Sequence, residues 1–214
     1  MLKVVIEKRK DFYFPLADKH FLGGEYQEPH RTNSLSFVDN FGVAMDIGAH
    51  VGTWAVDLVQ KFDKVICFEP ILEHRICLER NLEKFSKDKY EIHSCALGNE
   101  EGVVQLSYAD QGNSGTASIV GDDGGDYAAH IKTLDSFEFP QIDYLKVDIE
   151  GFELQFLKGA AETIKRTKPV MNIEIKNTCE RFGTTQEQII SFIENELNME
   201  LAGTTVADHV FISR

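Results

Sequence analysis

Four ionisable residues crowd the segment Lys146-Val147-Asp148-Ile149-Glu150-Gly151-Phe152-Glu153 of this 214-residue chain, and three of them are carboxylates. The apolar run before them reads as a core strand, so the acids fall at a strand end. An inward-facing acid there is costly unless it is paired or functional. A carboxylate within hydrogen-bond reach of a hydroxyl can take its proton, which makes Asp148 and Glu150 the first candidate general bases. Glu174, on the apolar background of Met171-Asn172-Ile173-Glu174-Ile175-Lys176, is the second, and His50 and His130 are the third. Other roles remain open at the same positions. Glu150 and Glu153 also suit the first turn of a helix, where the macrodipole favours negative charge. Glu174 also suits a salt bridge to Lys176 or Lys146.

A second constellation precedes it. Asp46-Ile47-Gly48-Ala49-His50-Val51-Gly52 ends an apolar run in glycines, as a strand does when it turns tightly beside a ligand. A dinucleotide loop would read G-x-G-x-x-G, but His50 takes the middle glycine's place. Asp46 also opposes a dinucleotide, because a carboxylate there would face a pyrophosphate dianion. S-adenosylmethionine brings an ammonium and a sulfonium instead. Asp46 suits those charges, and Gly48, Ala49, His50 and Gly52 suit the tail carboxylate. Glu69, before Pro70, is placed to accept hydrogen bonds from ribose hydroxyls. Ala96 and Leu97 suit a wall for adenine, and Asp148 borders the same crevice. A nicotinamide-dependent oxidoreductase and a non-catalytic cofactor-binding domain are the competing readings.

These residues need a scaffold that brings strand ends together. Val43–Ile47, Lys64–Phe68, Tyr90–Cys95, Asp143–Asp148 and Val170–Ile175 read as strands. Helices are expected over 53–62, 71–85 and 153–166. Thr184 and Glu187 read as a capping box that opens a further helix to about Leu197. Met199–Ala202 and His209–Ser213 read as a closing antiparallel pair, and 103–108 as a hairpin strand facing 129–133. The alternation predicts an α/β fold, doubly wound around a mostly parallel sheet, with ligands at the carboxyl ends of the strands. Residues 109–128 read as a polar, glycine-rich loop, with 113–118 a candidate lid. Residues 1–42 carry little pattern. They are expected to act as a cap or substrate segment in which Tyr26, Gln27 and His30 reach the cofactor, and 43–214 as the cofactor-binding core of one domain.

The formal net charge is −13, from 35 acids and 22 bases. That balance disfavours nucleic acid, whose binders need a basic face. Cys67, Cys77, Cys95 and Cys179 lack metal-like spacing and read as buried reduced thiols. No apolar run is long enough for membrane insertion, and the N-terminus lacks a leader's pattern, so a cytoplasmic protein is expected.

Taken together, Asp46–Gly52, Phe68-Glu69-Pro70, Ala96-Leu97-Gly98, Thr133-Leu134-Asp135, Leu145–Glu153 and Leu157-Lys158-Gly159 resemble the FkbM-type methyltransferases, a branch of the Rossmann-like class I enzymes that use S-adenosylmethionine. The Asp-x-Glu-Gly-x-Glu run followed by Leu-Lys-Gly is the most specific piece. The resemblance implies a seven-stranded sheet with an antiparallel last strand. It also implies methyl transfer, typically to a hydroxyl of a sugar, glycan or small metabolite. No metal is expected, a version in which Asp148, Glu174 and Asn177 hold Mg²⁺ standing as the alternative, and the edge strands leave a homodimer open.

Overall fold

The structure is a computed structural model that describes residues 4–20, 27–110, 112–120 and 124–214. The poorly patterned N-terminus forms a hairpin, β1 (Ile6–Arg9) and β2 (Phe12–Pro15), followed by a short helix, α1 (Glu28–Leu35). Phe12 and Phe14 are buried, and the hairpin packs on α3 (Leu72–Leu82), where Asn81 clamps the backbone of Tyr13 from both sides.

The core follows the expected alternation. It runs β3 (Val43–Ile47), α2 (Thr53–Lys61), β4 (Lys64–Phe68), α3 and β5 (Tyr90–His93). After β6 (Ala96–Leu97), β7 (Gly102–Tyr108), β8 (Ala117–Val120) and β9 (Tyr127–Lys132), the chain returns to the main sheet. It continues through β10 (Tyr144–Val147), α4 (Glu153–Gly159), α5 (Ala161–Thr167), β11 (Val170–Glu174), α6 (Gln186–Asn195), β12 (Met199–Thr205) and β13 (Asp208–Ser213). The main sheet has seven strands in the order β12-β13-β11-β10-β3-β4-β5. Its five central and edge strands from β11 to β5 run parallel, and β13 runs antiparallel to both neighbours. This is the doubly wound α/β sheet with an antiparallel last strand. Its order reverses between β3 and β10, so a crevice opens at the carboxyl ends of those two strands.

Four details differ from expectation. The strand expected over 90–95 ends at His93, and a separate short strand follows it, β6, which pairs with β9 outside the main sheet. The described parts of the segment 109–128 carry more regular structure than their composition suggests. They hold a 3-10 turn over Ser114–Thr116 and the strand β8, which pairs with β7, while β7 meets β9 as expected. The helix expected over 153–166 breaks at Ala160, next to Gly159, whose backbone lies so close to β6 that an added Cβ would stand 1.9 Å from the Gly98 carbonyl oxygen. The capping box sits one residue later than read: Thr185 accepts from the Gln188 N–H, and the Gln188 side chain accepts from the Thr185 N–H.

Candidate active site

The carboxyl ends of β3, β4, β10 and β11 surround a cavity of about 390 Å³, roofed by the hairpin and by residues 113–119. At the end of β3 the chain turns at Gly48, whose φ is +79° and whose Cβ, if present, would lie 2.0 Å from the Asp148 carbonyl oxygen. Only glycine meets both conditions. The Gly48 and Ala49 N–H groups donate to the Phe68 carbonyl, which welds the loop to the end of β4. Gly52 starts α2 against Leu78 and lies outside the cavity wall.

Of the cofactor residues expected from sequence, Gly48, Ala49, His50, Glu69, Pro70, Ala96, Leu97 and Asp148 all line this cavity. Asp46 does not. Its side chain is fully buried on β3, and burial raises its pKa. Its ionic partner is the Lys146 ammonium, 3.5 Å away. Glu69 is also engaged by protein groups: its Oε2 accepts from the His50 N–H at 2.9 Å, and its Oε1 accepts from the Ile71 N–H and meets His74 Nδ1. Gln27 lines the roof and accepts from Trp54 Nε1, whereas His30 pairs with Asp208 away from the cavity. Tyr26, the third expected cap residue, lies outside the described residues, as do Gln111 and residues 121–123 of the 109–128 segment.

Asp148, Glu150 and Glu174, the three expected catalytic carboxylates, converge. One ligand oxygen from each lies within 4.8 Å of the others. That spacing would suit a cation, but two ammonium groups already supply the positive charge. Lys176 Nζ stands 2.6 Å from Glu174 and 3.6 Å from Glu150, and Lys146 Nζ stands 3.5 Å from Asp148. Like charges this close cannot all ionise freely. Burial, and then the neighbouring Asp148, push Glu174 up to about 9, against the opposing pull of Lys176. Burial also opposes the Asp148 charge, but Lys146 and a hydrogen bond from Glu174 outweigh it and hold Asp148 below the usual carboxylate range. Glu150 is raised by burial and then by Asp148. The cluster therefore favours negative charge on Asp148 over Glu174 and Glu150. His130 is exposed on β9 and takes no part.

Lys146 is the residue that sequence reasoning undervalued. Its Nζ bridges Asp46 and Asp148, donates to the Gly48 carbonyl and lies 5.8 Å from the Trp54 ring centroid. A lysine inside an apolar strand is a legible signal, since a buried ammonium demands partners. Asp18 and Ser114, also in the cavity wall, carried no comparable signal, because their neighbourhood arises from segments far apart in the chain.

The profile of the methyltransferase FkbM domain matches residues 46–199, from the end of β3 to the start of β12. "Methyltransferase 1" of Beauveria bassiana (strain ARSEF 2860) is 23% identical, over 54% of this chain and 57% of that protein. Among solved structures, methyltransferase FkbM from Methylobacillus flagellatus KT superposes with a TM-score of 0.61 at 20% identity, covering 89% of this chain and 50% of that one. A Streptococcus mutans protein solved in complex with SAH superposes with a TM-score of 0.53 at 11% identity, covering 86% and 94%. The chain thus spans about half the length of the first two relatives. At these identities the structural matches establish the fold, and the domain profile, covering most of the chain, establishes the lineage. The chain belongs to the methyltransferase FkbM domain family.

Proposed function

We propose that this domain transfers a methyl group from S-adenosylmethionine to a hydroxyl of a sugar, glycan or small metabolite. The observation that carries the reading is the convergence of Asp148, Glu150 and Glu174, with Lys146 and Lys176 beside them, in the same cavity as the Gly48 loop. The donor set suits the cofactor. Gly48 lets backbone approach a ligand closely, Ala96 and Leu97 form a small apolar wall, and Glu69 sits at the end of β4, where a ribose would lie.

When bound, S-adenosylmethionine supplies an electrophilic methyl carbon. The protein's part is to align the acceptor oxygen, exclude water and remove its proton. Asp148 is the base in this scheme, because it lines the cavity and Lys146 beside it favours its charged form. Glu174 lies beside Asp148, and Lys176 and Lys146 balance the charge around the pair. Glu150 stands beside them as a hydrogen-bond acceptor for a second acceptor hydroxyl.

The melting temperature with S-adenosylhomocysteine, with NAD as control, tests the cofactor. At about 100 times the dissociation constant, a ligand of the native state adds about 2.7 kcal/mol. That is a rise of about 5–11 °C for a domain of this size. A rise with NAD alone would overturn the reading. A panel of hydroxyl acceptors with radiolabelled methyl donor tests the reaction. Asp148→Asn should lower turnover on any acceptor found by on the order of 10²-fold or more. A loss below about threefold with cofactor binding intact would remove Asp148 from the role.

A further inference from the structure

His50, Ser114 and Asp18 come from three separate segments: the glycine loop, the roof segment after β7, and the stretch after the N-terminal hairpin. Within the cavity wall they form one hydrogen-bonded chain. His50 Nε2 lies 2.7 Å from Ser114 Oγ, and Ser114 Oγ donates to Asp18 Oδ2. Asp18 is 2% exposed and Ser114 7%, so neither group has water as a ready alternative. The backbone repeats the link, since the Lys19 N–H donates to the Gly112 carbonyl at 2.8 Å.

The chain has a direction. A carboxylate accepts and a hydroxyl carries one proton, so the Ser114 proton points to Asp18. Ser114 Oγ must then accept from His50, which puts the ring proton on Nε2. A neutral ring so fixed offers Nδ1 as an acceptor. Burial, then His74 and Lys146, lower the His50 pKa well below its ordinary value, which keeps the ring neutral. Nδ1 has no hydrogen-bond partner among the described residues, and His50 lines the cavity beside Gly48 and Ala49.

We propose that Asp18 and Ser114 are positioning residues of the cofactor site. They hold the His50 ring with Nε2 donating, so that Nδ1 accepts a hydrogen bond from the ammonium of the cofactor's amino-acid tail. The proposal rests on the S-adenosylmethionine reading above. It gives the roof segments a chemical task in recognising the tail, beyond covering the cavity.

Two probes separate that task from a structural one. S-adenosylhomocysteine carries the amino-acid tail, and 5′-methylthioadenosine is the corresponding nucleoside thioether without it. Calorimetric titration of the full chain should show Ser114→Ala weakening S-adenosylhomocysteine about tenfold, the loss of one charge-assisted hydrogen bond. Its affinity for 5′-methylthioadenosine should change less than about twofold. Ser114→Thr, which keeps the hydroxyl, should restore most of the difference. His50→Ala should show the same selective loss, and Ser114→Ala should add nothing in that background. Equal weakening of both ligands, or a full Ser114→Ala effect without His50, would make the chain a structural latch and overturn the proposal. If Ser114→Ala does not fold, His50→Ala decides: no selective loss of S-adenosylhomocysteine overturns the proposal equally. Wild-type protein that binds neither ligand would instead overturn the cofactor reading itself, and this proposal with it.

Discussion

Replacing Glu153 by Gln should change how stability depends on pH, because this side chain is held where its charge is unwelcome. Glu153 opens α4 and is 2% exposed. Its Oε1 accepts from the Gly151 N–H at 3.0 Å, and its Oε2 has no hydrogen-bond partner among the described residues. Burial pushes its pKa from 4.5 up to about 7. A raised folded-state pKa means that the folded protein binds more protons than the unfolded chain between those two values. Stability from this group is therefore complete below about pH 4.5 and is lost as pH rises through about 7. At 1.36 kcal/mol per unit, the loss is about 3 kcal/mol. Gln removes the titration while keeping an oxygen for the Gly151 N–H. Its new amide carries a fixed cost that does not vary with pH, so the informative quantity is the difference between two pH values. Urea denaturation of both proteins at pH 5 and pH 8.5 should show Glu153→Gln gaining about 2.5 kcal/mol relative to wild type on going to the higher pH, since part of the loss has already occurred at pH 5. A mutational effect equal at both values within about 0.5 kcal/mol would refute the reasoning, and Glu153 would then be ionised or hydrated in the native state.

Other expectations follow from close approaches and charge pairing. Gly159→Ala places a Cβ 1.9 Å from the Gly98 carbonyl oxygen, so α4 and β6 must separate; denaturation should show a loss of at least about 3 kcal/mol. Lys146→Met strands the buried Asp46 and frees Asp148 from its counter-charge, which should cost about 3–5 kcal/mol in denaturant unfolding. Adding Asp46→Asn should recover part of that loss, and additive losses would show that the two groups do not interact.

The alternation of apolar runs with helical spacing made the main sheet readable, because burial on both faces leaves a strong, local pattern. The glycine loop, Glu69 and the Asp148–Glu153 run were readable for a related reason. A strand-end position in such a sheet is a functional position, and the residue types there are costly elsewhere. The N-terminal hairpin was not readable. Its strands are four residues each, and their apolar side chains pack on α3, which lies about sixty residues later in sequence. Strand β8 was hidden within a glycine-rich stretch, since its pairing with β7 compensates for weak local propensity.

Sequence alone thus determined the sheet, the loop that ends β3 and the identity of the acids gathered at β10 and β11. It did not determine their protonation. That charge is favoured on Asp148 over Glu174 depends on distances to Lys146 and Lys176 and on burial, which exist only once the strands lie side by side. The same holds for Asp46, which turned to Lys146, and for the link from Asp18 through Ser114 to His50. Residue type and spacing carry pattern, whereas the electrostatics of a site follow from separations that the chain acquires on folding.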